Sequence, residues 1–155
     1  MKLLFKQRFF SWFDSYDVYD ENDNVLYTVE GRLAWGRCFK IYDAARKEVG
    51  MVKGRIFCLL PKFDIYRGDT CVGCISKKFT FFCPAFQIDN NGWDAEGDFF
   101  EWDYTITSGS RTVARVEKKL LHFTDTYVID VTKPEDALGA LMVAVAIDAD
   151  KCSAE

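Results

Sequence analysis

The stretch Ala137-Leu-Gly-Ala-Leu-Met-Val-Ala-Val-Ala-Ile147 decides the fold. It carries neither a charge nor a polar side chain. Upstream, Thr132 and Glu135 stand at the spacing of a capping box. Pro134 falls in the first turn, where a missing N–H removes no helical hydrogen bond. Together these predict a helix over about residues 134–148. Apolar on every face, it has to be buried all round. At a rise of about 1.5 Å per residue the apolar run is only roughly 17 Å long. Crossing a bilayer takes ~20 such residues. The helix is therefore read as the core of a globular domain.

Everything before it reads as strand. Tyr16-Asp-Val-Tyr-Asp, Phe39-Lys-Ile-Tyr-Asp, Phe63-Asp-Ile-Tyr-Arg and Phe86-Gln-Ile-Asp recur at spacings of 23 or 24 residues. Trp102-Asp-Tyr-Thr-Ile and Tyr127-Val-Ile-Asp-Val are looser copies. Each alternates apolar and polar residues, the pattern of a half-buried strand. Polar turns follow most of them: Asp20–Asn24, Asp43–Lys47, Arg67–Asp69 and Ser108–Ser110. Second strands then begin at Val25, Val49, Cys71 and Thr112. The unit is a hairpin, and about six hairpins make a meander of about twelve strands. Such a meander removes its edges by closing. A barrel of that width is too wide for its own side chains to fill, because about eight strands is where they just suffice. The buried helix fills it. Its small residues, Ala137, Gly139, Ala140, Ala144 and Ala146, admit large barrel side chains, and its larger ones fill the gaps between them. The fold class predicted is mainly β: a closed barrel of about twelve strands enclosing a hydrophobic C-terminal helix, one domain over residues 1–155.

Composition agrees. Hydrophobic residues make up 49% and aromatics 16%, which excludes disorder and favours a β-rich interior. A formal net charge of −4 argues against a nucleic-acid binder. Lys6 and Arg8 interrupt any signal-peptide core, and no apolar run is of spanning length. The expected location is cytoplasmic, at most on the periphery of a membrane. Six cysteines, at 38, 58, 71, 74, 83 and 152, are then expected to be reduced.

The chain resembles the LURP-one-related family, whose fold is similar to the Tubby C-terminal domain and to the phospholipid scramblases. The matching residues are Phe5-Lys-Gln-Arg-Phe9, Tyr16-Asp-Val-Tyr-Asp-Glu21, Trp93-Asp-Ala-Glu-Gly-Asp-Phe99 and Lys118-Lys-Leu-Leu-His-Phe-Thr-Asp-Thr-Tyr-Val-Ile-Asp-Val131. Glu135-Asp-Ala137 and Val145-Ala-Ile-Asp148 complete the match. They run through nearly the whole chain in order. The resemblance implies a twelve-stranded barrel around a central hydrophobic helix, and implies little about activity.

Chemistry-bearing groups are sparse. His122 is the sole histidine, in strand context, and is read as structural. Cys71-Val-Gly-Cys74 is a CxxC inside a strand, where positions i and i+3 face opposite ways, so it is read neither as a disulfide nor as a zinc site. Asp20–Asn24 and Asp89–Asp98 resemble calcium loops. The first has Val25 where a glycine belongs and Gly31 where the bidentate glutamate belongs; the second lacks the ligand at position five. No cofactor, metal site or catalytic residue is expected, and the domain is expected to be non-enzymatic.

The remaining signal is positional. Basic residues recur at the end of the second strand of successive hairpins: Arg32, then Lys53 and Arg55, then Lys77 and Lys78, then Lys118 and Lys119. In an up-and-down meander these ends share one rim, with Asp20, Glu21, Asp23, Asp43 and Asp69 at the other. A basic rim attracts anionic lipid headgroups at about 1 kcal/mol per residue. Similarity to Tubby, a phosphoinositide-binding fold, points the same way. Keeping strand ends soluble is the plainer role of such residues. The expected function is binding of anionic lipid headgroups or a membrane surface through that rim. The alternative is a protein-interaction or scaffold domain contacting a partner through an aromatic loop from Trp93 to Trp102, with Trp93, Phe99, Phe100 and Trp102 as the contact residues. Scramblase-like lipid handling is disfavoured, since withdrawing the helix would empty the core.

Overall fold

A computed structural model describes residues 1–6, 15–34, 36–79, 84–121 and 124–154, and only the backbone of 33, 34, 124, 125 and 152–154. Twelve strands follow the chain: β1 (Lys2–Phe5), β2 (Ser15–Tyr19), β3 (Val25–Ala34), β4 (Gly36–Asp43), β5 (Glu48–Gly54), β6 (Lys62–Arg67), β7 (Thr70–Phe79), β8 (Pro84–Ile88), β9 (Trp93–Asp98), β10 (Asp103–Ser108), β11 (Arg111–Leu121) and β12 (Thr124–Val131). Each pairs antiparallel with its sequence neighbours, and β1 pairs with β12, so the sheet is a closed barrel. The closing strand is tied at the end: the Met1 ammonium donates to the Val131 carbonyl at 3.0 Å, and the Val131 N–H donates back to Met1 at 2.7 Å.

The sequence repeat is a structural repeat. Val18, Ile41, Ile65, Ile88, Ile106 and Ile129 hold equivalent places in β2, β4, β6, β8, β10 and β12, and all six are buried. They form a belt of β-branched side chains around the helix. In four of these strands the ladder shifts register just after that residue: at Val18/Tyr19, Ile41/Tyr42, Ile65/Tyr66 and Ile106/Thr107. Such bulges add twist and curl the sheet toward closure. The aspartate ending the motif then builds the turn. Asp20 Oδ1 accepts the N–H of Asn22 at 2.7 Å and of Asn24 at 2.9 Å; Asp43 Oδ1 accepts those of Ala45 and Lys47 at 2.9 and 3.0 Å. Asp23 and Arg46 take left-handed φ values of 62° and 65° in these turns.

The helix differs from expectation at both ends. A 3-10 turn, Pro134–Asp136, precedes α1 (Ala137–Ala154). Pro134 is in the first turn as expected, but Lys133 stands at the cap position with no side-chain capping bond. No capping box forms, because the Thr132 N–H donates to Val113 at 2.9 Å, and that bond holds the residue against the barrel wall. At the far end α1 runs past 148 and takes Asp148, Asp150 and Lys151 into buried positions. Polar partners at the barrel mouth make that extension tolerable.

Helix and wall meet closely at two glycines. A Cβ on Gly139 would lie 3.0 Å from the Trp93 ring, and one on Gly50 would lie 2.0 Å from the Met142 methyl. A large side chain opposite a glycine, once from each partner, lets α1 approach the wall closely. Among the described residues no helix is long and apolar enough to cross a membrane.

Candidate functional site

Two ion pairs orient α1 in the barrel. Arg111, in the β10–β11 turn region, donates to Asp136 at 3.0 Å near the helix start. Lys77, near the end of β7, donates to Asp150 at 2.8 Å near the helix finish. The barrel thus has a polar-turn rim at the helix start and a second rim at the helix finish. Strands β3, β5, β7, β9 and β11 all run toward the second.

All seven basic candidates lie in the halves of β3, β5, β7 and β11 nearest that rim, or one residue beyond. Their side chains have different fates. Arg32 pairs with Glu30 at 2.8 Å and Lys119 with Glu117 at 3.2 Å. Arg55 holds Asp64 through three hydrogen bonds of 2.7–3.0 Å, and these, first among the causes, raise its pKa further. Lys77 points inward to Asp150, so its charge belongs to the core rather than to the rim surface. Lys53 and Lys78 form no ion pair among the described residues. Lys118 is exposed, and its backbone N–H donates to the Trp102 carbonyl at 3.1 Å.

The same rim holds cations outside the candidate set. Arg37 and Lys62 line a cavity of about 380 Å³ beside the β5–β6 loop, with Arg55, Phe57, Leu59 and Asp150. Lys151 Nζ is buried 5.3 Å above the Trp102 ring and 6.0 Å from that of Phe100. Only its place just past the apolar run could have flagged Lys151. Next to it, burial drives the Tyr104 phenol well above its ordinary pKa, and the Asp148 carboxylate adds to the shift.

The aromatic contact surface expected between Trp93 and Trp102 is corrected. Trp93–Asp98 is strand β9, not a loop, and Trp93, Phe99 and Trp102 are core residues. The Phe99 ring lies 5.1 Å from Phe86 and 5.0 Å from Tyr104; Trp102 lies 4.5 Å from Tyr127 and 5.3 Å from Phe5. Of the four only Phe100 faces out. Trp93 and Ala95 face inward with Asp94 between them, and that alternation was the missed signal.

Cys71 is exposed and Cys74 buried; because the ladder shifts register between Ile65 and Tyr66, they stand opposite Tyr66 and Asp64 on one side of the sheet, not on opposite faces as i and i+3 alone would predict. The Asp20 carboxylate is engaged within its own turn, accepting the Asn24 side-chain amide as well, and Asp89 accepts the Cys74 N–H at 2.7 Å. His122 and Cys83 lie outside the described residues.

A closed antiparallel barrel of twelve strands around one C-terminal helix defines a Tubby-like barrel domain. The chain belongs to the LURP-one-related family, whose model matches residues 1–148. It is 30% identical over 149 residues to "Uncharacterized protein YxjI" of Bacillus subtilis (strain 168), covering 96% of this chain and 92% of that one. Its fold is similar to the X-ray structure of the Arabidopsis thaliana protein AT5G01750, with a TM-score of 0.62 at 12% identity, over 93% of this chain and 88% of that one. Fold and family together point to a binding domain.

Proposed function

We propose that the protein is a non-enzymatic binding domain that docks on anionic lipid headgroups at a membrane surface through the rim at the helix finish. The observation that carries this reading is strand parity. Every second strand ends there, and β3, β5, β7 and β11 each contribute basic residues. Lys53, Lys78, Lys118 and Lys119, with Arg37 and Lys62, form the outward cationic set. Lys77 does not belong to it. Binding rather than catalysis is supported by the buried polar groups of the mouth: Tyr104, Asp148 and Lys151 are enclosed and offer no open face to a substrate.

Co-sedimentation with phosphatidylcholine vesicles, with and without phosphatidylserine, tests it at low and moderate salt. Binding that needs the anionic lipid and weakens with salt is expected. Changing Lys53, Lys78, Lys118 and Lys119 to Glu, with Lys77 kept so that the core survives, is expected to abolish it. Absence of binding to anionic vesicles by the folded wild type overturns the reading.

A further inference from the structure

The rim at the helix finish is also where the barrel exposes its large apolar side chains. Phe57 and Leu59, in the β5–β6 loop, are 99% and 100% exposed; Phe79, Phe100 and Leu120 are 67%, 65% and 71% exposed. Ile56 and Leu121 add to the same rim. Of the large hydrophobics exposed among the described residues, only Met1 and Val25 lie at the other one. Phe and Leu are ordinarily among the most buried residue types, so their concentration on one end calls for a partner.

The connections show the same division in sequence. At the polar-turn rim they read Asp20-Glu-Asn-Asp-Asn24, Asp43-Ala-Ala-Arg-Lys47, Arg67-Gly-Asp69, Asp89-Asn-Asn-Gly92 and Ser108-Gly-Ser110. At the opposite rim they read Ile56-Phe-Cys-Leu-Leu60 between β5 and β6 and Phe99-Phe-Glu-Trp102 between β9 and β10. Turn chemistry alone favours polar residues at both ends.

We infer that this rim inserts its apolar side chains, Phe57, Leu59, Phe79, Phe100 and Leu120, into the interfacial layer of an anionic bilayer, with the helix axis directed at the membrane. The inference rests on the docking function proposed above and states how docking is held. Two features select a bilayer over a protein groove. The apolar groups come from two loops and two strand ends spread around the barrel mouth, so a broad flat partner touches all of them at once. Cations are interleaved with them: Lys78 precedes Phe79, and Lys119 precedes Leu120. Apolar tips flanked by lysines match hydrocarbon below a layer of negative headgroups.

Two native thiols make the orientation testable. Cys58 is exposed between Phe57 and Leu59, and Cys71 is exposed next to the β6–β7 turn at the opposite rim. Cys83→Ser and Cys152→Ser leave these as the reactive pair, since Cys38 and Cys74 are buried. An environment-sensitive dye is attached to one or the other, with its fellow changed to Ser, and titrated with vesicles containing phosphatidylserine. A blue shift, quenched by lipids carrying a quencher in the acyl chain, is expected from Cys58 and not from Cys71. In unlabelled protein, changing Phe57, Leu59, Phe79, Phe100 and Leu120 to Ser is expected to lower partitioning roughly tenfold or more, a loss of ~1.4 kcal/mol, and to remove the fraction that resists salt. Salt-sensitive binding with the Cys58 dye in water and the Ser variant unimpaired overturns insertion and leaves headgroup docking standing. No binding to anionic vesicles overturns both. A stronger dye response from Cys71 reverses the orientation and overturns the inference.

Discussion

Lys77 Nζ and Asp150 Oδ2, 2.8 Å apart and largely shielded from solvent, join the barrel wall to the last turns of the helix it encloses. Removing either partner breaks a largely buried charge pair. Lys77→Ala and Asp150→Ala are each expected to cost about 2–4 kcal/mol, whereas Lys77→Met combined with Asp150→Leu recovers most of the loss. A double-mutant cycle by urea unfolding measures the coupling. Lys77→Met is expected to leave vesicle binding nearly unchanged, because that charge is already engaged. Lys78→Glu is expected to weaken it.

Gly139 is the closest approach of the helix to the Trp93 ring. Alanine there gains about 1 kcal/mol of helix propensity. It also forces a rigid indole outward, a crowding cost of about 1–3 kcal/mol. A net loss of up to about 2 kcal/mol is expected for Gly139→Ala, with Trp93→Phe restoring part of it. Thermal unfolding of the two single variants and the double decides the sign.

Gly97 takes φ +140°, and a Cβ there would stand 2.5 Å from the Asp103 carbonyl oxygen. Neither the dihedral nor the backbone clash is relieved by rotating a side chain. Gly97→Ala is therefore expected to lose about 2–4 kcal/mol. Denaturant midpoints against wild type give the number, and a wild-type midpoint sinks the prediction.

Tyr104 is wholly buried, and its hydroxyl makes no hydrogen bond among the described residues. Burial, then Asp148, raises its pKa above the ordinary value of 10.0. A raised folded-state pKa gives stability that is complete below the unfolded value and lost as pH rises through the folded one. Stability is expected to fall above about pH 10, with Tyr104→Phe flattening that decline. At neutral pH the same change is expected to be neutral or mildly stabilising. Unfolding free energies measured at stepwise alkaline pH test both.

The alternation of Tyr16–Asp20, Phe39–Asp43 and Phe63–Arg67 was enough to read hairpins, and an uncharged run from Ala137 to Ile147 was enough to read a buried helix. Both follow from periodicity and hydrophobicity, which are properties of a chain before it folds. Barrel closure then followed from the need to fill a wide interior and hide edges. Trp93, Phe99 and Trp102 were misread because aromatic residues beside acidic ones look like an exposed loop until their parity on a strand is known.

The sequence by itself determined the strand meander, the central helix and the rim on which the basic strand ends fall, because antiparallel order converts spacing directly into up or down. Only the tertiary structure decided which charges stay at the surface and which enter the core. Adjacent residues on a strand face opposite ways, so the bulges and registers of the closed barrel turn Lys77 toward Asp150 and leave Lys78 in solvent. The same geometry buries Trp102 and exposes Phe100, two residues apart in one turn. That choice depends on how β9 and β10 meet the wall across the barrel, which no local pattern encodes.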